Sequence, residues 1–407
     1  MSIQNKLSGF PTEAELLDWK NNNSQDEILE VNGHFHTPYS FSAFDNIAQI
    51  TAKAEEENIS ILGINDFNTV SGHEEFHNLC VEGKKFPLFN IEFMGLLQEE
   101  KEKGIKINDP TNPGRIYFSG KGLKYPCERS SEEVLENLRD LCNKQTIEMI
   151  IKMNEHFSNC NVDIKLDAEE IQKNDAKELV RERHIAKVIR EKIYSLTQVK
   201  EERLTLISKI YEGHSEDISL DNIAAMENEI RSKLLKKGGV AFVEEDPQSF
   251  LPVEELVNWI VNAGGIPCYP VLLDDSKGNF TDFEKDYDAL LANLKKYSIP
   301  ALELIPVRNK ISYVKEFVEF FNNNGIIVLL GTEHNTPEMI PLKVACSDSP
   351  LSEELKKVCY EGASIVAAHQ YKIAKGEKGL LAEGMPSKTK LADYASLGKS
   401  VIGYYLK

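Results

Sequence analysis

Val31-Asn32-Gly33-His34-Phe35-His36-Thr37-Pro38-Tyr39-Ser40 sets two imidazoles two residues apart at the end of a strand-like approach, Glu27-Ile28-Leu29-Glu30-Val31. Side chains two apart on a strand project from one face, so His34 and His36 form a ready-made pair of metal ligands. Thr37-Pro38 ends the strand and leaves both rings at its carboxyl end, which in an α/β barrel is the reactive one. A chance pair of histidines on a half-buried strand is the plain alternative.

Composition bounds what surrounds this stretch. The chain has 407 residues, 41% of them hydrophobic, enough for one large core plus an accessory domain or for two ordinary domains. No run of 18 apolar residues occurs, and Met1 to Lys20 is polar and lacks the order of a signal peptide, so a cytoplasmic protein with no membrane partner is expected. The seven cysteines are odd in number and contain no C-x-x-C pair, which fits reduced thiols. A formal charge of -18 argues against nucleic acid. The basic clusters at Arg181 to Lys192 and Lys233 to Lys237 fit solvated helix faces. The oligomeric state is left open.

Working outward, residues 1–26 resemble a helical leader, with a short helix capped by Thr12 and stopped by Asn21-Asn22-Asn23. From 27 to 125 strands and helices alternate, with strands expected at 27–35, 59–64, 86–97 and 115–120, which implies a mainly parallel sheet. Residues 126–236 are long, charged helical stretches and read as an inserted helical domain; its clearest helix is predicted over Asp167 to Tyr194. Alternation resumes over 237–345, and 346–407 is a helical C-terminal segment. Roughly seven strands are enough to close a barrel, whose rim would gather His34, Asp66, Glu92, Tyr269, Arg308, Glu333 and His334. Each has a bland explanation alone, such as Asp66 as a helix cap, but their convergence argues for a site.

These residues resemble the PHP family, the polymerase and histidinol phosphatase domain, and within it the phosphoesterases that carry a helical insert. The family's D-L-H-x-H-T-x-x-S-D-G is similar to Asn32 through Ser42, T-D-H-x-T-x-x-G to Asn65 through Gly72, and G-x-E to Asn90-Ile91-Glu92. R-x-H-x-A-x-x-L resembles Arg181 through Val188, A-G-G-x-x-x-x-A-H-P resembles Ala263 through Pro270, I-E-V resembles Leu302-Glu303-Leu304, and G-S-D-x-H-x-P resembles Gly331 through Pro337. The resemblance implies a distorted (β/α)7 barrel with an inserted all-helical domain and a metal-dependent hydrolase.

The departures matter as much. Family members usually hold three metals. The resemblance assigns His34, His36, Glu92 and Glu333 to the first, with glutamate standing for a final aspartate. Histidines of the second are replaced by Tyr117 and Tyr269, and ligands of the third by Phe41, Phe67 and Asn335. A site reduced to one divalent ion follows, and two imidazoles with two carboxylates suit zinc, manganese or iron. The rival metal signal is His73-Glu74-Glu75-Phe76-His77, the H-E-x-x-H of zincin proteases; its place on an outer helix, as solvated side chains, argues against it.

One metal suffices for hydrolysis. Glu333 or His334 would then be the general base or acid, with His184 and Asp66 as further catalytic candidates and Arg308, Arg183 and Tyr269 as substrate-binding ones. His334 under the C-terminal helices and His184 on an apolar helix face are the packing alternatives. The substrate is expected to be a small, anionic molecule. Three readings stay open: a phosphoesterase-like hydrolase, a mononuclear hydrolase or isomerase acting on a carboxylate, lactone, amide or sugar acid, and a non-catalytic ligand-binding module.

Overall fold

A computed structural model describes residues 5–23, 27–213, 220–275 and 277–407. The ends of the expected leader, and 214–219 of the expected insert, lie outside the described residues. The first part runs α1 (Glu13–Asn23), β1 (Val31–Phe35), α2 (Ile47–Glu56), β2 (Ile61–Ile64), α3 (His73–Glu82), β3 (Phe86–Phe89), β4 (Ile91–Leu96), α4 (Gln98–Glu102) and β5 (Arg115–Lys121). Helices α5 (Arg129–Asn159), α6 (Ala168–Asn174), α7 (Glu182–Leu196), α8 (Lys200–Ile210) and α9 (Ile223–Ile230) follow. Then come β6 (Leu251–Pro252), α10 (Val253–Asn262), β7 (Ile266–Val271), α11 (Tyr287–Lys296), β8 (Ala301–Leu304), α12 (Ile311–Asn323) and β9 (Ile327–Leu330). Helices α13 (Glu353–Ala374) and α14 (Lys388–Leu406) close the chain.

The strands form two sheets, β1-β2-β3 and β6-β4-β5-β7-β8-β9. Neighbours are parallel except around β5, which runs antiparallel to both β4 and β7. Instead of one continuous barrel ladder, isolated bridges join the sheets among the described residues: Phe35 to Glu333 and Phe67 to Glu92. The first bridge is reinforced by His36 N–H donating to the Glu333 carbonyl at 2.9 Å.

The apolar run 86–97, expected as one strand, is two, and its halves belong to different sheets. Asn90 makes the break. Its buried amide donates to the Gly33 carbonyl at 3.2 Å and accepts from Gly122 N–H at 3.1 Å. Its backbone N–H donates to the Ile64 carbonyl at 3.0 Å. A side chain that satisfies two backbone groups substitutes for ladder hydrogen bonds where the chain leaves one sheet for the other.

Other expectations shift in detail. Thr12 and Glu15 form the expected capping box, with Glu15 accepting from Thr12 N–H and Oγ1–H at 2.8 Å each, but α1 runs through Asn21-Asn22-Asn23 instead of stopping there. The long helix expected over 167–194 is interrupted: α6 ends at Asn174 and α7 begins only at Glu182. Asp167 caps α6, accepting from Glu170 N–H at 2.9 Å. The apolar face survives the break, since Ile171, Leu179, Ile185, Ile189 and Ile193 are all buried. Helix α5 spans two cores, with Leu135 and Leu138 in the one that packs the sheets and Met149, Met153 and Phe157 in a separate one with α6 to α9. No helix among the described residues is long and apolar enough to cross a membrane.

Candidate metal centre

His34 lies on β1, His36 just beyond its end and Glu92 on β4, and all three are buried. One ligand atom from each falls within 4.8 Å of the others. His34 Nε2 stands 3.5 Å from His36 Nε2, and His36 Nε2 stands 3.3 Å from Glu92 Oε2. Donors 2.0 to 2.1 Å from one tetrahedral ion stand about 3.3 Å apart, and both separations from His36 Nε2 are close to that spacing, so these residues could hold a metal ion.

The surroundings decide which ring nitrogen is free. His34 Nδ1 lies 3.0 Å from Glu303 Oε2, an acceptor only, which puts the proton on Nδ1 and leaves Nε2 the acceptor, toward which the Asn65 amide also reaches at 3.2 Å. His36 Nδ1 lies 3.4 Å from Ser40 Oγ, whose own proton goes to Asp66 at 2.6 Å, with the same consequence. Two ring nitrogens and a carboxyl turned toward one point in a buried site are satisfied by a shared proton or by a metal ion.

Behind His34 is a wholly buried charge network. Lys121 Nζ donates to Glu303 Oε2 at 2.5 Å and to Asn65 Oδ1 at 2.9 Å, and Ser119 Oγ donates to Glu303 Oε1 at 2.5 Å. Burial alone would push the Glu303 carboxyl up, but Lys121 and His34 outweigh it and hold it well below the carboxylate range. Glu92 lacks such a cation, and burial raises its carboxyl to about 8. Sequence reasoning assigned no role to Lys121, Ser119 or Glu303. The signal was there: Tyr117, Ser119 and Lys121 alternate along β5 and face one side.

Glu333 sits at the same rim but outside the three-residue donor set, its carboxylate paired with the Arg308 guanidinium. Burial would raise its carboxyl; Arg308 above all, then His34, His36 and Arg183, lower it below the ordinary value. Glu333 and His334 have φ of 72° and 51°, a left-handed pair without glycine held by backbone bonds to His34 and His36.

The remaining candidates separate. Asp66 accepts from Thr37 N–H at 2.7 Å, Thr37 Oγ1–H at 2.5 Å and Ser40 at 2.6 Å, so its carboxylate ties down the turn that carries His36. His334 has both ring nitrogens occupied, by Thr332 Oγ1 at 2.7 Å and the Ile340 carbonyl at 3.0 Å, and stacks on Phe44. The Tyr269 hydroxyl is spent on Glu284 at 2.6 Å. His184 accepts from Arg181 N–H at 3.0 Å, which places its proton on Nε2, and it lines a cavity with Arg183. The H-E-x-x-H histidines are not solvated as expected. Both are buried, His73 donating to the Asn90 carbonyl at 3.0 Å and His77 packing on Tyr125.

Phe41, Phe67 and Tyr117 gather with Met94, Cys142 and Leu179 into a small apolar cluster beside the donors. The Phe41 ring centroid lies 4.6 Å from that of His36.

No family model matches the chain, and no curated protein does. Among solved structures it is similar to an amidohydrolase from Chromobacterium violaceum with bound sulfate and no metal, at 14% identity and TM-score 0.49 over 81% of this chain and 96% of that one. It is also similar to a protein provisionally named a metal-dependent phosphoesterase from Bifidobacterium adolescentis, at 12% identity and TM-score 0.51 over 82% and 96%. The second likeness establishes the fold alone: an α/β arrangement that a protein so named also adopts.

Proposed function

We propose that this chain is a PHP-like metal-dependent hydrolase with a reduced, mononuclear site acting on a small anionic molecule. The observation that carries this reading is the convergence of His34, His36 and Glu92, with His36 Nε2 at 3.5 Å from His34 Nε2 and 3.3 Å from Glu92 Oε2 and all three donors within 4.8 Å of one another. His34, His36 and Glu92 would hold one zinc, manganese or iron ion, while Glu333 stays on Arg308 at the same rim, outside the donor set. When bound, such an ion supplies Lewis acidity that makes water a better nucleophile near neutral pH and polarises the bond under attack.

The chain's own groups do the rest. Glu333, held anionic beside Arg308, accepts the proton of the attacking water. Arg308 then pairs with the anionic substrate, and the neutral His184 offers its Nε2 proton from the insert. The apolar cluster of Phe41, Phe67 and Tyr117 keeps bulk water from that side. It also favours a second reading: aromatic residues neutralise no phosphoryl charge, so a lactone, amide, carboxylate or sugar acid is the competing substrate class.

Metal analysis of the purified chain, followed by a metal-replete screen over phosphomonoesters, phosphodiesters, lactones and N-acyl or sugar acids, tests this. About one ion per chain and a turnover that His36→Ala abolishes support it. A chain that holds no ion overturns it, and an ion without turnover on any class moves the reading to a ligand-binding module.

A further inference from the structure

A cavity of about 390 Å3 opens between the loop that follows β1 and the insert's α6, α7 and α9. Its wall is rich in cations although the chain as a whole carries a charge of -18. Three of the six are paired within the protein: Lys187 with Asp175 at 2.9 Å, Arg190 with Glu227 at 2.7 Å and Lys177 with Glu75 at 3.3 Å. Two arginines are not fully used. Arg183 has no hydrogen bond or ion pair among the described residues, and its guanidinium only faces the Phe41 ring at 5.8 Å. Arg231 is 8% exposed, and its Nε meets no acceptor even though its terminal nitrogens reach Asn228 at 3.1 Å and Glu182 at 3.0 Å.

A buried donor without an acceptor, as at Arg231 Nε, costs stability, and the like charge of the half-buried Arg183 adds to that cost. Burial first, and then the Arg231 charge, draw the Arg183 guanidinium down to about 10. An oxyanion reverses both penalties, because planar guanidinium forks match its geometry. The Phe41 ring lies against His36 on one side and Arg183 on the other, so an anion on the arginines is one aromatic ring removed from the candidate metal ligands.

We infer that this cavity seats an oxyanion through Arg183 and Arg231, a phosphate group that the substrate carries as a handle away from the bond that is cut. The handle role rests on the reading of His34, His36 and Glu92 as the reacting centre; the anion site itself does not.

The test titrates inorganic phosphate into the full-length protein at fixed ionic strength, with chloride as the control, and follows heat and thermal midpoint. Saturable binding is expected in the wild type and in His36→Ala. Arg183→Met should weaken it at least tenfold while metal content and folded signal stay as they were, since Arg183 supports no ion pair; Arg231→Gln should weaken it as well. Binding that is absent from the wild type, or unchanged in Arg183→Met, overturns the inference. Binding lost in His36→Ala places the phosphate on the metal and overturns it too. A chain that holds no metal yet binds phosphate through Arg183 would refute the hydrolase reading and leave the anion site standing.

Discussion

Lys121 Nζ lies 2.5 Å from Glu303 Oε2, and the two side chains are 0% and 1% exposed. Glu303 in turn receives the His34 proton, so a cation on β5 sets the orientation and basicity of a candidate metal ligand on β1. Lys121→Met leaves an uncompensated buried carboxylate and is expected to cost about 3–5 kcal/mol in denaturant unfolding. Metal affinity, read by chelator competition, should fall by about 10–100-fold in Lys121→Met and in Glu303→Gln. The double variant should recover much of the stability, because no charge remains unpaired, yet none of the affinity.

His36→Ala and His73→Ala should behave in opposite ways. The first removes one of three converging donors and is expected to abolish tight metal binding. The second removes a buried ring and its bond to the Asn90 carbonyl, costing roughly 2–4 kcal/mol of stability while metal content is kept. Metal lost from the His73 variant and kept by the His36 variant would reopen the zincin-like alternative.

Glu284 gives a pH signature. Its carboxylate is wholly buried against Tyr269 Oη and the N–H groups of Leu272 and Leu273, and burial raises its folded value from 4.5 to about 7. The folded state therefore holds this proton more tightly than the unfolded one. Its contribution is fully present below about 4.5 and lost as pH rises through about 7, a few kcal/mol across that window. Glu284→Gln should flatten the dependence of unfolding free energy on pH between those values. An unchanged slope would show that the carboxyl titrates normally.

Gly331 leaves no room for a side chain. A Cβ there would stand 2.4 Å from His34 Cβ and 2.7 and 2.8 Å from the His34 backbone N and O. Gly331→Ala should therefore displace β1 at the ligand itself, lowering metal content together with the thermal midpoint.

The alternation of strands and helices, and the boundaries of α10, α12, β7 and β9, were legible because they rest on local periodicity and breakers. His34, His36 and Glu92 were legible through spacing and resemblance. Three things were not. The division of 86–97 into two strands depends on Asn90 meeting Gly33 and Gly122, partners 57 and 32 residues away. The burial of His73 and His77 depends on neighbours such as Asn90 and Tyr125 that helical periodicity does not reveal. Glu333 carries the right chemistry for a ligand, but its pairing with Arg308 is a competition between two rim loops that spacing leaves open.

The bond between His34 and Glu303 joins residues 269 positions apart. At about 5–20 residues per second, a ribosome makes the second on the order of half a minute after the first. For all that time the nascent chain carries its two imidazoles with neither the carboxylate that orients one of them nor the β8 and β9 strands that shelter both. Even with Glu92 made soon after them, the donors of the proposed metal centre would lack that orienting carboxylate and that shelter until the last strands form.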